Sequence, residues 1–291
     1  MRHFLHAFAV IGLVLFTSLG VGAGESAGEF QSFAYPAEGG EDESRRQYFL
    51  HLPSTLKANA PLLFVLHGYR GDPRDYMGEM EMNRQAEEYG FAVCYPQGIK
   101  DDEGVAHWNA GLKISKVDDV AFLSQLALDL QKKHGLDPNR TFACGVSNGG
   151  FMSYTLVVEK PDVFKAAASV IGTMSGDTWQ HRANCKALPI LQMTGMEDKV
   201  VPHDGSMSKR GGWGGAPGQE EIIKFWSGLA DAREEEVVEL TPKTTVRYYR
   251  GGNNGIEVWF YQIRKMGHDI PNKKNSGLDL SHELWRFFRR F

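Results

Sequence analysis

The chain has few cysteines and little net charge. Of its 291 residues, 3 are cysteine, 32 are Lys or Arg and 36 are Asp or Glu, which gives a formal net charge of −4. A nearly balanced charge provides no electrostatic reason to bind nucleic acid or an anionic membrane surface. We therefore expect no nucleic-acid partner.

The three cysteines are Cys94, Cys144 and Cys185, an odd number that leaves at least one of them unpaired. Cys94 and Cys144 fall in predicted strands. If the strand ending at His67 lies between them, they are about 10 Å apart, which is too far for a disulfide. We expect either no disulfide or one that involves Cys185. No C-x-x-C motif or His/Cys cluster indicates a metal site, and none is expected.

A long uncharged run occurs at residues 7–24, after a weakly basic start, Met1-Arg-His. Small residues at Val21-Gly-Ala23 suit cleavage, so we predict a signal peptide at 1–23 and a secreted or periplasmic protein. The alternative is a retained anchor. The run barely reaches spanning length and contains Gly12, Thr17 and Ser18, which favours cleavage and no stable membrane association afterwards.

The rest of the chain, residues 24–291, is expected to form a single α/β domain, because no Pro/Ser-rich linker divides it. Continuous apolar runs at 62–66 and 91–95 are typical of strands buried on both faces. Strands alternating with helices predict a mostly parallel sheet with helices on both faces. Further strands are predicted at 45–52, 164–171, 188–193, 244–250 and 256–263, and helices at 77–89, 118–130, 220–229 and over the last thirteen or so residues.

Gly145-Val-Ser-Asn-Gly149 stands between an apolar strand-like run and a helix-like segment. This pattern predicts a nucleophile elbow, in which a strained turn lifts the hydroxyl of Ser147 out at the top of the sheet. The flanking glycines are needed because the turn is too tight for side chains. Ser147 is therefore the candidate nucleophile.

A serine hydroxyl needs a base to take its proton and a third group to orient that base. In the α/β-hydrolase arrangement the acid and then the histidine follow the serine, each after a strand. Asp198 follows the strand predicted at 188–193, and His268 follows the strand at 256–263. Glu197 or Asp204 could replace Asp198. His282 is excluded as the base, because it lies inside the final helix.

Acyl transfer also requires hydrogen-bond donors for the developing oxyanion. The amide of Asn148, the residue after the nucleophile, is one candidate. The amide of Tyr69, in the Leu66-His67-Gly68-Tyr69 loop after an earlier strand, is the second. His67 itself is interpreted as a packing and hydrogen-bonding residue and not as a second base.

Several motifs now carry a resemblance. They are His67-Gly68, Tyr95-Pro96-Gln97-Gly98, Trp108-Asn109-Ala110-Gly111, Asp118-Asp119-Val120, Gly145-Val-Ser-Asn-Gly-Gly150, the Gly195…Asp198 turn and Gly267-His268. In this order they resemble the secreted polyhydroxybutyrate depolymerase and feruloyl esterase family of the α/β hydrolases, over roughly residues 45–291. The resemblance implies a serine carboxylesterase that needs no metal or other cofactor, with Ser147, Asp198 and His268 as its triad.

The same resemblance implies that Trp108 and Asn109 line the cleft, where an aromatic wall would stack on a sugar or phenolic ring. The alternative is that Trp108 is a core aromatic. Many family members have a cysteine where Tyr69 stands. The glycine-rich segment 211–218 is either a lid beside the site or only a connection.

We therefore expect an exported carboxylic ester hydrolase. Secreted depolymerases of solid polyester usually carry a polymer-adsorbing module, for which residues 24–291 leave no room. That favours soluble substrates: feruloyl or acetyl esters of plant polysaccharide, or short hydroxyalkanoate oligomers. A depolymerase acting on polymer, a peptidase of the prolyl-oligopeptidase branch, a non-catalytic binding protein and an acyltransferase remain as alternatives.

Overall fold

A computed structural model describes residues 30–36, 43–100 and 103–291. The signal peptide predicted at 1–23 lies outside the described residues. The strands are β1 (Gln31–Pro36), β2 (Glu43–His51), β3 (Leu62–Leu66), β4 (Ala92–Pro96), β5 (Ile99–Lys100), β6 (Ala106–His107), β7 (Thr141–Val146), β8 (Ala166–Val170), β9 (Ile190–Gly195), β10 (Glu234–Thr241), β11 (Thr244–Arg250) and β12 (Val258–Ile263). The helices are α1 (Pro73–Met80), α2 (Met82–Tyr89), α3 (Asp119–His134), α4 (Asn148–Glu159), α5 (Gly176–Gln180), α6 (Gln219–Leu229) and α7 (Leu280–Phe288).

Ten of these strands form one sheet in the order β1-β2-β4-β3-β7-β8-β9-β12-β11-β10. The six central strands, from β4 to β12, are parallel to one another. Antiparallel hairpins, β1–β2 and β10–β11, extend it at the two edges. The predicted mostly parallel sheet is confirmed. Because parallel strands end at the same edge, the loops after β3, β7, β9 and β12 meet there.

Helices cover both faces of the sheet, because the central strands are apolar on both faces. Along β3, Leu62, Phe64 and Leu66 face one core, which also contains buried residues of α3, α4 and α6. Leu63 and Val65 face the other core, formed with α1, α2 and α7. A strand buried on both faces cannot reveal its orientation by alternation, so its continuous apolar run was the informative signal.

Two features of the fold differ from the sequence-based expectations. The helix predicted over 77–89 is wrong, because Glu81 adopts a left-handed conformation, with φ 47°, and separates α1 from α2. The edge strands β1 and β10 were not predicted. β10 carries mostly exposed side chains with three consecutive glutamates, so it lacks the apolar alternation by which strands are recognised.

The cysteines lie as the predicted strand order requires. β3 separates β4, which carries Cys94, from β7, which carries Cys144, and the two side chains face opposite cores. Cys94, Cys144 and Cys185 are all unpaired. Over the described part of the chain, no helix has the length and apolar character needed to cross a bilayer.

Candidate active site

The turn between β7 and α4 has the geometry of a nucleophile elbow. Ser147 has φ 52° and ψ −117°, a conformation that L-residues rarely adopt. A Cβ atom added at Gly145 would lie 2.3 Å from the carbonyl group of Gly149, and one added at Gly149 would lie 2.2 Å from the Leu66 carbonyl oxygen. Only glycine fits at either position. The strained turn holds the half-buried Ser147 at the carboxyl edge of the sheet.

A chain of hydrogen bonds joins the three residues expected from the sequence. His268 Nε2 lies 2.9 Å from Ser147 Oγ, and His268 Nδ1 lies 2.7 Å from Asp198 Oδ2. A carboxylate can only accept, so Nδ1 carries the proton and Nε2 is left to accept from the serine hydroxyl. The arrangement can therefore remove a proton from Ser147.

Asp198 is fixed in place by its own turn. Its second oxygen, Oδ1, accepts hydrogen bonds of 2.8 Å from the amides of Val200 and Val201. The residue is 5% exposed, whereas the alternatives Glu197 and Asp204 do not contact the histidine. Glu197 is exposed, and Asp204 accepts from the amide of Ser206. The structure thus places Asp198, and not its neighbours, against His268.

The two amides expected to bind an oxyanion belong to the residue that follows Ser147 in the chain and to a residue of the same cleft. Asn148 begins α4, where the first amides have no partner within the helix. Tyr69 lies in the loop after β3 and lines the same cleft as Ser147. Among the described residues, the Tyr69 amide bonds to no other backbone group. Both amides are available to a ligand.

His67 is a buried structural residue, in agreement with its interpretation from the sequence. Its Nδ1 lies 2.7 Å from the carbonyl oxygen of Gly68, and its Nε2 accepts from the amide of Gly98 at 2.8 Å. These partners require the neutral ring with its proton on Nδ1. Burial lowers the pKa of His67 to about 4, which keeps the ring neutral.

Trp108 does not line the cleft, and the expectation that it binds substrate is wrong. Its side chain is fully buried, so it has no face to offer a sugar or phenolic ring. Its indole Nε1 donates to the carbonyl oxygen of His67 at 2.9 Å. Its amide donates to Asn148 Oδ1 at 2.7 Å, and its carbonyl oxygen accepts from Asn148 Nδ2 at 3.0 Å. Trp108 therefore connects the elbow to the loop after β3.

Asn109 is also absent from the cleft lining. Its side chain donates to the carbonyl oxygen of Val117 at 2.8 Å, and its amide donates to Asp119 Oδ2 at 2.7 Å. Asp119 is fully buried and forms an ion pair of 2.7 Å with Arg46. Burial raises the pKa of Asp119, an effect that Arg46 opposes. The expected substrate contact is instead a brace for the loop before α3.

The cleft above Ser147 has a volume of about 660 Å³ and is mostly polar. Sequence reasoning missed most of its wall, although the loop after His268 and the segment after the Tyr69 loop adjoin predicted site residues. The missed lining residues are Tyr76, Gly78, Glu79, Glu81, Val146, Ile171, Asp269, Ile270, Asn272 and Asn275. The only feature of the sequence that could have indicated these lining residues is that several of them lie close to the end of a predicted strand.

A second depression of about 610 Å³ shares Glu79, Glu81 and Asn272 with the cleft. Arg84 and Lys273 lie farther along its wall. The shared residues make the two depressions neighbours.

Two further observations concern the surroundings of the site. Within residues 30–36, 43–100 and 103–291, no three His, Cys, Asp or Glu side chains converge in a way that could hold a metal ion. Trp213, from the glycine-rich segment, packs edge-on against Tyr69 with ring centroids 5.4 Å apart. The segment therefore flanks the loop that carries one of the two amides.

Comparison with known proteins identifies the family. The profile described as Esterase PHB depolymerase matches residues 46–223, which is more than half of the chain. The chain belongs to this esterase family. Poly(3-hydroxyalkanoate) depolymerase C of Paucimonas lemoignei is 27% identical over 262 residues, covering 82% of this chain and 62% of that protein. Feruloyl esterase B of Piromyces equi is 27% identical over 255 residues, covering 84% and 45%. The chain thus spans about half of the length of such relatives.

Solved structures show the same fold. The acetyl xylan esterase from Aspergillus awamori superimposes with a TM-score of 0.66 at 15% identity, covering 90% of this chain and 99% of that one. Esterase PE8 superimposes with a TM-score of 0.56 at 18% identity, covering 84% and 98%. The α/β-hydrolase fold expected from the sequence is confirmed.

Proposed function

We propose that this esterase is a serine carboxylesterase whose reaction proceeds through a covalent acyl-enzyme. The observation that carries the proposal is the hydrogen-bonded chain from Ser147 through His268 to Asp198, with contacts of 2.9 and 2.7 Å. A serine with a base in hydrogen-bond reach, itself oriented by a buried acid, is the arrangement needed for nucleophilic catalysis.

In the acylation half, Ser147 Oγ attacks the ester carbonyl carbon while His268 Nε2 takes the hydroxyl proton. The carbonyl oxygen becomes an oxyanion, which the amides of Tyr69 and Asn148 stabilise. Asp198 stabilises the imidazolium without accepting its proton. When the tetrahedral intermediate collapses, the carbon–oxygen bond to the alcohol breaks and His268 returns the proton to that alcohol.

In the deacylation half, water takes the place of the alcohol. His268 removes a proton from the water, whose oxygen attacks the acyl carbon, and the same two amides hold the second oxyanion. Collapse releases the carboxylic acid and restores the Ser147 hydroxyl. An acceptor alcohol in place of water would give acyl transfer by the same steps.

The cleft favours neutral, hydroxyl-rich esters as substrates. Glu79, Glu81 and Asp269 line it, and carboxylates accept hydrogen bonds from hydroxyl groups but repel anions. Burial raises the pKa of Glu79, and nearby Asp75 raises it further. Feruloyl or acetyl esters of plant polysaccharide fit this chemistry best, whereas a short hydroxyalkanoate oligomer ends in a carboxylate that these residues would repel. Relatives include a feruloyl esterase and a poly(3-hydroxyalkanoate) depolymerase, so both classes belong in the test.

We further propose that the protein is exported and that cleavage after Ala23 leaves residues 24–291 as the mature esterase domain. The support is the sequence pattern of residues 1–23. Expression of the full chain in a bacterial host, followed by N-terminal sequencing of the exported product, tests this. A product that keeps residues 1–23 and stays with the membrane contradicts it.

The catalytic proposal is tested by hydrolysis of a matched panel with residues 24–291. The panel contains p-nitrophenyl acetate and butyrate, methyl ferulate, acetylated xylan, a 3-hydroxybutyrate trimer and solid polyhydroxybutyrate. We expect turnover by the native protein and at least a 10³-fold loss of kcat in Ser147→Ala. The ranking of substrates identifies the class, and preference for solid polyester would favour the depolymerase alternative. Absence of Ser147-dependent turnover on every substrate would refute an esterase.

A further inference from the structure

Tyr76 is a residue of the cleft wall to which the mechanism above assigns no role. It lies on α1, and its ring packs against the loop after β3 at two glycines. A Cβ atom at Gly71 would lie 2.8 Å from Tyr76 Cε2, and a Cβ atom at Gly68 would lie 2.7 Å from the Tyr76 hydroxyl. Even alanine at either position would collide with this ring. The lack of a side chain at Gly68 and at Gly71 is what allows the phenol to lie against the loop.

The same point above Gly68 lies close to the nucleophile. An added Cβ atom there would be 3.6 Å from Ser147 Cβ and 2.7 Å from the Tyr76 hydroxyl. Because both distances meet at one point, the hydroxyl and Ser147 Cβ are at most 6.3 Å apart. Gly68 also immediately precedes Tyr69, whose amide is one of the two proposed oxyanion donors. The phenol hydroxyl therefore lies near both the nucleophile and the loop that carries one proposed oxyanion donor.

We propose that the Tyr76 hydroxyl donates a third hydrogen bond to the oxyanion, beside the amides of Tyr69 and Asn148. This inference rests on the proposed acyl-enzyme mechanism. Negative charge develops on the former carbonyl oxygen in both tetrahedral intermediates, and a hydrogen bond to a charged acceptor is stronger than one to a neutral carbonyl. The phenol keeps its proton throughout, so no bond other than the hydrogen bond is made or broken.

The surroundings of Tyr76 keep it a donor. Burial raises its pKa above the ordinary value, and the nearby carboxylates of Glu79 and Asp75 raise it further, which outweighs the opposing effect of the Gly68 backbone. An ionised phenol would repel an oxyanion. The phenol therefore keeps its proton at neutral pH and is available as a donor.

The substitution Tyr76→Phe distinguishes the contribution of the hydroxyl to catalysis from that of the ring. Phenylalanine retains the packing against Gly68 and Gly71, so a packing role predicts no change. A donor role predicts a fall in kcat/KM for p-nitrophenyl acetate of about 10- to 100-fold, mostly in kcat, somewhat below the cost of losing a main oxyanion donor. Tyr249→Phe is the matched control: it removes a hydroxyl on β11 that bonds Glu235 of β10, and neither residue lines the cleft.

A second readout uses a pair of inhibitors. A trifluoromethyl ketone forms a tetrahedral oxyanion adduct with the serine, whereas the matching methyl ketone binds without one. We expect Tyr76→Phe to weaken the trifluoromethyl ketone by the same factor as kcat/KM and to leave the methyl ketone within twofold. Values for both inhibitors and for kcat within twofold of the native protein would overturn the proposal.

Failure of this inference is distinguishable from failure of the proposed function. Loss of all Ser147-dependent turnover in the native protein refutes the esterase mechanism, whereas native turnover with an unchanged Tyr76→Phe refutes only the role of the phenol. If Tyr76→Phe lacks a cooperative unfolding transition and so does not fold, the test uses fluorotyrosine at position 76 instead, because it retains both the ring and the hydroxyl. The more acidic phenol is expected to bring the basic limb of the kcat/KM profile to lower pH, and an unmoved limb overturns the proposal.

Discussion

Trp108 and Asn148 exchange two hydrogen bonds across 40 residues of sequence. The indole of Trp108 also donates to the carbonyl oxygen of His67. Trp108 therefore connects the elbow, which provides the amide of Asn148, to the loop that provides the amide of Tyr69: its main chain bonds Asn148 and its indole bonds His67. Residues in these positions set the distance between two proposed oxyanion donors, so changes to Trp108 should affect every ester alike.

Trp108→Phe tests this connection. The substitution keeps an aromatic ring but leaves the carbonyl oxygen of His67 without its buried donor, which should destabilise the fold by about 1–3 kcal/mol beyond the loss of packing. We expect kcat to fall by a similar factor for p-nitrophenyl acetate and methyl ferulate. Trp226→Phe is the matched control, because Trp226 is fully buried and its Nε1 makes no hydrogen bond with the described residues. A selective rise in KM for methyl ferulate would contradict the assignment.

Asp198→Asn tests the orientation of His268. An amide at position 198 can present its NH₂ to Nδ1, which favours the ring with its proton on Nε2 and removes its capacity to accept from Ser147. We expect kcat to fall by about 10⁴-fold with little change in folding. Asp204→Asn is the control, because this exposed carboxylate only caps its own turn. Equal losses in both variants would contradict the role of Asp198.

The three residues of the proposed triad were predictable because their positions follow from chain order. Ser147, Asp198 and His268 each come directly after a buried apolar strand, and parallel strands end at one edge of the sheet. The strands at 62–66 and 244–250 were predicted with the bounds that the structure gives. An apolar strand is recognised from a short stretch of sequence. The rule that parallel strands end at one edge of the sheet then places the residues after those strands together.

Side-chain burial and partners were not predictable in the same way. Nothing near Trp108 in the sequence specifies that its indole bonds His67 and its main chain bonds Asn148, because both contacts are long-range. From the sequence, Asp118 and Asp119 both look like acids that cap a helix. Asp118 does cap α3, by accepting from the amide of Ala121, whereas Asp119 forms an ion pair with Arg46 on β2. The wall of the cleft depends on such distant contacts as well.

Arg46→Met tests the buried ion pair that holds the loop before α3. Arg46 is 6% exposed and Asp119 is fully buried, so removing the guanidinium leaves an uncompensated buried charge. We expect the free energy of unfolding at pH 7 to fall by about 3–5 kcal/mol. Since burial already raises the pKa of Asp119, the deficit should shrink in acid as the carboxyl group takes up a proton.

The double variant Arg46→Met/Asp119→Asn provides the control for that experiment. The amide oxygen of asparagine can still accept from the Asn109 backbone, while the buried charge is gone. Urea unfolding at pH 7 should show the double variant to be more stable than Arg46→Met. A double variant that is equally or less stable would mean that Arg46 acts through packing on Phe122, whose ring lies 4.1 Å below its guanidinium carbon.

His67 should make the fold sensitive to acid. Its pKa falls from 6.5 to about 4 in the folded protein because the ring is buried. The unfolded chain therefore binds more protons between these values, so the contribution to stability is complete above pH 6.5 and is lost as the pH falls through 4. The full pKa shift corresponds to a change of about 3 kcal/mol in the free energy of unfolding.

His67→Gln isolates this contribution, because the glutamine amide can accept from the Gly98 backbone but does not titrate. We expect the native protein to be the more stable of the two at pH 7, and its advantage to shrink by about 3 kcal/mol at pH 4. Acidic residues titrate alike in both proteins, so their effect cancels in the difference. His282→Gln, an exposed change on α7, should show the pH dependence of the native protein. If His67→Gln shows it too, the buried ring is not the titrating group, and acid lability must arise from the carboxylates.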